Sequence, residues 1–266
     1  MPELANRMQR IKGSAIDAVA QKVRELKEQG QEIINFSIGV PNFLPPDRIY
    51  EAAREDIDHD QGTYLPGRGT KDLVQAFRLR MKEDGFQYRE EEIVSGLGGK
   101  HVLFNIMLAL LNTGDEVLIP TPYWTTYPDQ VRLLGGEPVF LASSVAQNYK
   151  ITPEQLQDAI GPKTRILLFN NPSNPTGMVY GEDEVQALGD LLEKHDLWII
   201  SDDIYYRILF DGQSFHHLLK TNPSLRERTV IVHSISKSYG MPGWRVGMAA
   251  GPEAVIKALI NLNTTS

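Results

Sequence analysis

The 266-residue sequence contains no cysteine, which excludes disulfides, thiolate metal sites and a cysteine nucleophile and fits a cytoplasmic protein. Basic residues are in the minority, 27 Lys and Arg against 34 Asp and Glu, for a formal net charge of -7. A chain of this balance lacks the broad cationic surface that grips phosphate backbones, so nucleic acid is not an expected partner. Long apolar runs are missing as well. No stretch approaches membrane-spanning length, and Met1 to Arg10 has no apolar signal-peptide core. There is no internal repeat and no low-complexity segment. The length suffices for one large domain, or one plus a small partner.

The pattern of the chain is repeated strand and helix. Ala15 to Gln29 has helical periodicity ended by Gly30, and Ile33 to Ile38 reads as a strand. The turn-rich Gly39 to Pro46 looks like a crossing between two domains, which divides the chain into residues 1–45 and 46–266. Beyond it, helices are expected at Asp47 to Asp58, Thr70 to Asp84, Gly99 to Leu111, Thr152 to Ile160, Glu182 to His195 and Pro252 to Asn263. Strands are expected at Ile93 to Ser95, Glu116 to Pro120, Pro138 to Leu141, Arg165 to Asn170, Trp198 to Ser201, Val230 to His233 and Val246 to Ala250. Apolar strands alternating with amphipathic helices predict an α/β fold: a mostly parallel seven-stranded sheet with helices on both faces and ligands beyond the carboxyl ends of the strands.

Several of those strand ends carry chemistry. Lys237 lies just past the run Thr229 to Val232, where a partly dry lysine can lose its proton and attack a carbonyl to form a Schiff base. A lone lysine is more often a solvated charge, but Ser234, Ser236 and Arg245 beside it are phosphate donors. Together they suggest a phosphorylated aldehyde cofactor. Gly98 and Gly99, in Gly96-Leu97-Gly98-Gly99-Lys100, open a helix as an anion cradle does. The glycine spacing fits neither a Rossmann fingerprint nor a P-loop, and a plain glycine turn is an equal reading. Trp124 could cover a flat ring or simply belong to the core. Asn174, in the dense turn Asn170 to Gly177, could donate to a ring oxygen. Asp202 ends a buried strand and needs a cation, which a protonated pyridine nitrogen would provide; Tyr205 could reach the ring's phenolic oxygen. A magnesium-binding aspartate is the rival reading, weakened by the missing P-loop. No metal site is expected.

In order and spacing, Gly39 before Pro41, Tyr64-Leu65-Pro66, Gly98-Gly99-Lys100, Pro122-Tyr123-Trp124, Asn174-Pro175-Thr176-Gly177, Asp202-Asp203-Ile204-Tyr205, Ser234-Ile235-Ser236-Lys237 and Gly243-Trp244-Arg245-Val246-Gly247 resemble the fold-type I pyridoxal-phosphate aminotransferases of class I/II. The bacterial aspartate aminotransferase branch is most similar. The resemblance covers Ala15 to Ser266 and implies a large cofactor-binding domain plus an incomplete small domain to which residues 1–45 belong. It implies that Lys237 holds pyridoxal 5′-phosphate and shuttles the proton, that Asp202 keeps the ring nitrogen protonated, and that Asn174 and Tyr205 bind the phenolic oxygen. It assigns the phosphate to the backbone of Gly98, Gly99 and Lys100 with Ser234, Ser236 and Arg245, ring stacking to Trp124, and the substrate carboxylate to Gly39. Trp124 and Asn174 would border the substrate. Tyr64 would reach the neighbouring subunit's phosphate in a homodimer. The Lys100 side chain would pair with a distal carboxylate, which makes aspartate and 2-oxoglutarate the first-choice substrates; a surface lysine in the first helical turn is an equal reading of Lys100. The bond before Pro175 would be cis.

The family's chain continues past Ser266, where it supplies the other half of the small domain and an arginine that clamps the substrate's α-carboxylate. No arginine here matches that position, so this chain by itself is expected to bind cofactor better than it turns over amino acid. Two other readings share the same supports: a carbon-sulfur lyase or other α-carbon enzyme, and a non-catalytic cofactor-binding module.

Overall fold

The computed structural model describes residues 3–11, 13, 15–37, 39–59 and 62–265. In chain order, α1 (Ala15–Glu28), α2 (Asp47–His59) and α3 (Lys71–Glu83) precede β1 (Ile93–Gly96). There follow α4 (Gly99–Leu110), β2 (Glu116–Pro120), α5 (Thr126–Leu133), β3 (Glu137–Leu141), α6 (Pro153–Ala159) and β4 (Thr164–Asn170). The last elements are α7 (Glu182–Leu192), β5 (Trp198–Asp202), α8 (Leu218–Thr221), β6 (Thr229–Ser234), α9 (Ile235–Ser238), β7 (Gly247–Ala250) and α10 (Glu253–Thr265).

The strands form one seven-stranded sheet in the order β1-β7-β6-β5-β4-β2-β3, parallel except for β7, which runs antiparallel to both neighbours. Strand alternation sorts the side chains onto two apolar layers. Ile200, Val230, Val232, Ile166 and Leu168 pack under α4, α5 and α10, whereas Ile199, Ile231, Leu167 and Phe169 pack under α3, α6, α7 and α8. Burial on both faces is what lets these strands read as continuous Val, Ile and Leu runs. The helices start where their caps say they should: Thr70 Oγ1 accepts the Leu73 N–H at 3.3 Å, and Thr152 with Gln155 closes a capping box at α6.

Two expectations change. The strand read at Ile33 to Ile38 is coil through Ser37, and Ile38 lies outside the described residues. No described strand pairs with it, so its backbone has no ladder to join, and Ile34 and Phe36 are exposed. The second change is α5, which is absent from the helices expected from the sequence. Tyr127, Gln130 and Val131 turn inward at helical spacing, and Pro128 is tolerated because it sits in the first turn.

Candidate active site

Register places the chemistry. At the carboxyl end of the parallel strands, Asn170 of β4 pairs with Asp202 of β5, Asp202 with Val232 of β6, and Ser234 with Gly247, which also faces Gly96 of β1. The residues that follow these positions therefore converge beyond one edge of the sheet.

Asp202 is fully buried. Its Oδ2 accepts the Tyr127 hydroxyl at 2.6 Å, whereas Oδ1 has no hydrogen-bond partner among the described residues. Burial, reinforced by the like charge of Asp203, pushes its pKa up to about 7 in spite of the Tyr127 hydrogen bond and the nearby Ile204 backbone N–H. A carboxylate held this way is a socket for a proton-bearing cation, with one oxygen fixed and the other waiting. Tyr127 is a site residue that the sequence reading passed over. The signal was present, since a buried carboxylate needs a second donor and Tyr127 is the next inward position of the stretch carrying Trp124.

Asn170 ties this strand end to the next turn, its amide donating to the Asp202 carbonyl at 2.7 Å while its Oδ1 accepts the Asn174 N–H at 2.8 Å. Asn174 in turn donates its amide to the Tyr205 hydroxyl at 3.3 Å, leaving the phenol's own proton for another acceptor. Burial, with the Asp202 charge adding, pushes Tyr205 up to about 12, so it stays a donor at neutral pH. The bond before Pro175 is cis as expected, and so are those before Pro122 and Pro172.

Lys237 sits on the single turn of α9, with Nζ 5.7 Å from the centre of the Tyr205 ring. Nζ donates to the Gly39 carbonyl at 2.6 Å, and burial lowers its pKa. Gly39, expected against a substrate carboxylate, thus meets the Lys237 amine directly. Beyond Lys237, Gly240 presses on Phe43: an added Cβ there would lie 2.7 Å from the Phe43 carbonyl oxygen. The 39–43 segment is in this way docked on the turn that carries Lys237.

The remaining corner suits an anion. Gly98 has φ +90 and caps α4, and a Cβ on it would stand 2.3 Å from Arg245 Nη2. A Cβ on Gly247 would stand 2.4 Å from the Gly98 carbonyl carbon, so only glycine permits this approach of backbone to helix start. Free N–H groups of α4 and the exposed Arg245 guanidinium face the same place, Arg245 donating to the Pro242 carbonyl at 2.7 Å and the Leu97 carbonyl at 3.3 Å. Ser234 is buried and caps α9, accepting the Ser236 N–H at 3.1 Å, with its Oγ 2.8 Å from Ser236 Oγ and 3.0 Å from the Val246 carbonyl. Gly99 would touch Ser234 and Ile204 if it bore a Cβ, which makes the anion corner continuous with the β5 end.

Lys100 Nζ lies over the Trp124 ring at 5.2 Å, and Trp124 meets Tyr127 edge-on at 5.3 Å. Tyr64 is not part of this cluster and stands fully exposed.

Residues 31–266 match the family described as aminotransferase class I and II. The chain belongs to that family. These enzymes transfer amino groups between amino acids and 2-oxo acids with pyridoxal 5′-phosphate as cofactor. The chain is 40% identical over 265 residues to the aspartate aminotransferase of Geobacillus stearothermophilus, covering 99% of this chain and 67% of the relative. It superimposes on the aspartate aminotransferase of Rhizobium meliloti with a TM-score of 0.96 at 36% identity, covering 100% of this chain and 67% of that one. The Thermus thermophilus enzyme solved with maleate gives 0.95 at 36% identity, with 100% and 69% covered. The chain spans about two thirds of the length of the proteins it matches. The residues present fit such a cofactor: the unpartnered Asp202 Oδ1 is free to accept from a ring nitrogen, and the corner at Gly98 has room and donors for a phosphate.

Proposed function

We propose that the chain is an aspartate aminotransferase working with 2-oxoglutarate in the cytoplasm, residues 1–45 belonging to a small domain and 46–266 forming the cofactor domain. The observation that carries the site assignment is the unpartnered Oδ1 of fully buried Asp202, in one contiguous cluster with the Lys237 amine. When bound, pyridoxal phosphate supplies an electron sink for charge developing at the substrate's α-carbon. Asp202 holds the ring-nitrogen proton, its carboxylate aimed by Tyr127. Asn174 and Tyr205 direct their donors at the phenolic oxygen. Gly98, Gly99, the Lys100 backbone, Ser236 and Arg245 take the phosphate, with Ser234 shaping the turn. Lys237 would anchor the cofactor, and its amine of lowered pKa would be placed to carry the α-proton.

Substrate choice rests on Lys100. Its ammonium stands over Trp124, the residue proposed to lie on the ring, where a distal carboxylate would meet it. The maleate in the Thermus relative's structure is a dicarboxylate of the same kind. The homodimer reading is supported by exposed Tyr64, Leu65 and Leu97, an apolar group standing in solvent.

A single-turnover assay on the cofactor-loaded chain tests this reading. L-aspartate should convert stoichiometrically to its 2-oxo acid, L-alanine much more slowly, and Lys100→Ala should erase about tenfold of that preference. Elimination of a sulfur leaving group without amino transfer would favour the lyase reading instead.

A further inference from the structure

Asp202 is followed by a second buried acid, and strand alternation sends it to the opposite face of the sheet. Asp203 is 1% exposed. Its Oδ1 accepts the Ser201 hydroxyl at 2.7 Å, and its Oδ2 lies 3.0 Å from His217 Nε2, in an ion-pair contact short of hydrogen-bond alignment. His217 Nδ1 accepts the Leu219 N–H at 2.9 Å at the start of α8, so when neutral the ring carries its proton on Nε2, on the Asp203 side. His233 Nε2 stands 3.9 Å from the same oxygen, and burial brings its pKa down to about 4, so it adds no cation at neutral pH. The backbone is pinned as well, the Asp203 N–H donating to the Val232 carbonyl at 3.1 Å. Nothing in the proposed chemistry uses this carboxylate.

We propose that Asp203 is a positioning residue for the cofactor: from behind the sheet its fixed negative charge strengthens the hold of Asp202 on the ring-nitrogen proton. The inference rests on the reading that Asp202 meets that nitrogen. Two anions on adjacent residues, inside a poorly polarisable core, attract one cation better than either does alone, and Asp203 is kept from moving by Ser201 and His217. The neighbourhood is consistent with this. Facing Asp202 are Tyr127 from α5 and Tyr205 from the following turn; facing Asp203 are Ser201, His217 and His233. Further out on the Asp203 side are Tyr88, Tyr206, Asp84 and Arg80, with Asp84 bonded to Arg80 and to Tyr206. Of the arginines on that side, Arg80 is held by Asp84 and Arg226 stands over the Tyr88 ring, 3.9 Å from its centre.

The test compares dissociation constants for pyridoxal phosphate and for the analogue whose ring nitrogen is replaced by carbon. For the unaltered chain the natural cofactor should bind more tightly. Asp203→Asn should lower that preference about tenfold while leaving affinity for the carbon analogue unchanged. Ser201→Ala, which removes the hydroxyl that fixes Asp203 Oδ1, should lower it in the same direction and serves if Asp203→Asn does not fold. Equal weakening of both ligands, or no change in their ratio, overturns the inference. Asp202→Asn separates the two claims: if it too leaves the ratio unchanged, the placement of Asp202 against the nitrogen has failed, not merely the role of Asp203.

Discussion

At the scale of single residues, Asp202 makes the sharpest statement. Its pKa in the cofactor-free fold is about 7, raised by burial from an ordinary carboxylate value near ~4. The folded chain therefore binds this proton more tightly than the unfolded chain. The contribution is full below about pH 4 and is lost as pH rises to about 7, amounting at most to about 4 kcal/mol. His233, depressed to about 4, acts in the opposite sense over much of the same window, so the native melting curve alone would hide the effect. Asp202→Asn retains His233 and lacks the carboxylate. Its melting temperature relative to the native chain should climb between pH 4 and 7 without cofactor, and saturating pyridoxal phosphate should reverse the order at pH 7. Tyr127→Phe is the companion change. Loss of a 2.6 Å hydrogen bond to a buried charge should weaken cofactor binding by about ten- to a hundredfold at pH 5, where binding must ionise Asp202, and by less at pH 8, where the free chain is already largely ionised, as measured by absorbance titration.

At the scale of elements, the anion corner depends on two glycines that belong to different strands' ends. Gly98 adopts φ +90 with Arg245 Nη2 in the place of its missing side chain, and Gly247 lies flat on the Gly98 backbone. Gly247→Ala cannot be accommodated by a flexible neighbour, because its obstacle is backbone. It should separate β7 from the start of α4 and reduce affinity for inorganic phosphate and for pyridoxal phosphate alike, at least tenfold by equilibrium dialysis. The unphosphorylated aldehyde should be much less affected. Element type was legible in the sequence wherever burial on both faces wrote an unbroken apolar run, as in Ile166 to Phe169 or Val230 to Val232, and strand ends fell within one residue of expectation. It was not legible at Ile33 to Ser37, because strand-forming residues need an edge to pair with, and that information does not lie in the segment itself. α5 was not read as a helix, although Tyr127, Gln130 and Val131 carry the period.

For the whole molecule, most of the proposed site was readable because the last residues of the parallel strands reach one edge of the sheet; Asp202, Asn174, Tyr205, Lys237 and Gly98 were named from their places after strands and Arg245 from its place beside Lys237, and the fold brings them together. The supporting layer was not readable. Tyr127 and Asn170 touch Asp202 only through long-range packing, and the Asp203–His217 contact joins segments whose spacing carries no motif. The family match and the superposition on two aspartate aminotransferases give the architecture its enzymatic setting. The central claim concerns one amine, and one measurement addresses it. The chain is incubated with pyridoxal phosphate, reduced with borohydride, digested and mapped by mass spectrometry. A single pyridoxyl group on Lys237, absent from Lys237→Ala and displaced by prior L-aspartate, is the predicted result; label on Lys100, or spread over surface lysines with Lys237 unmodified, would contradict the account.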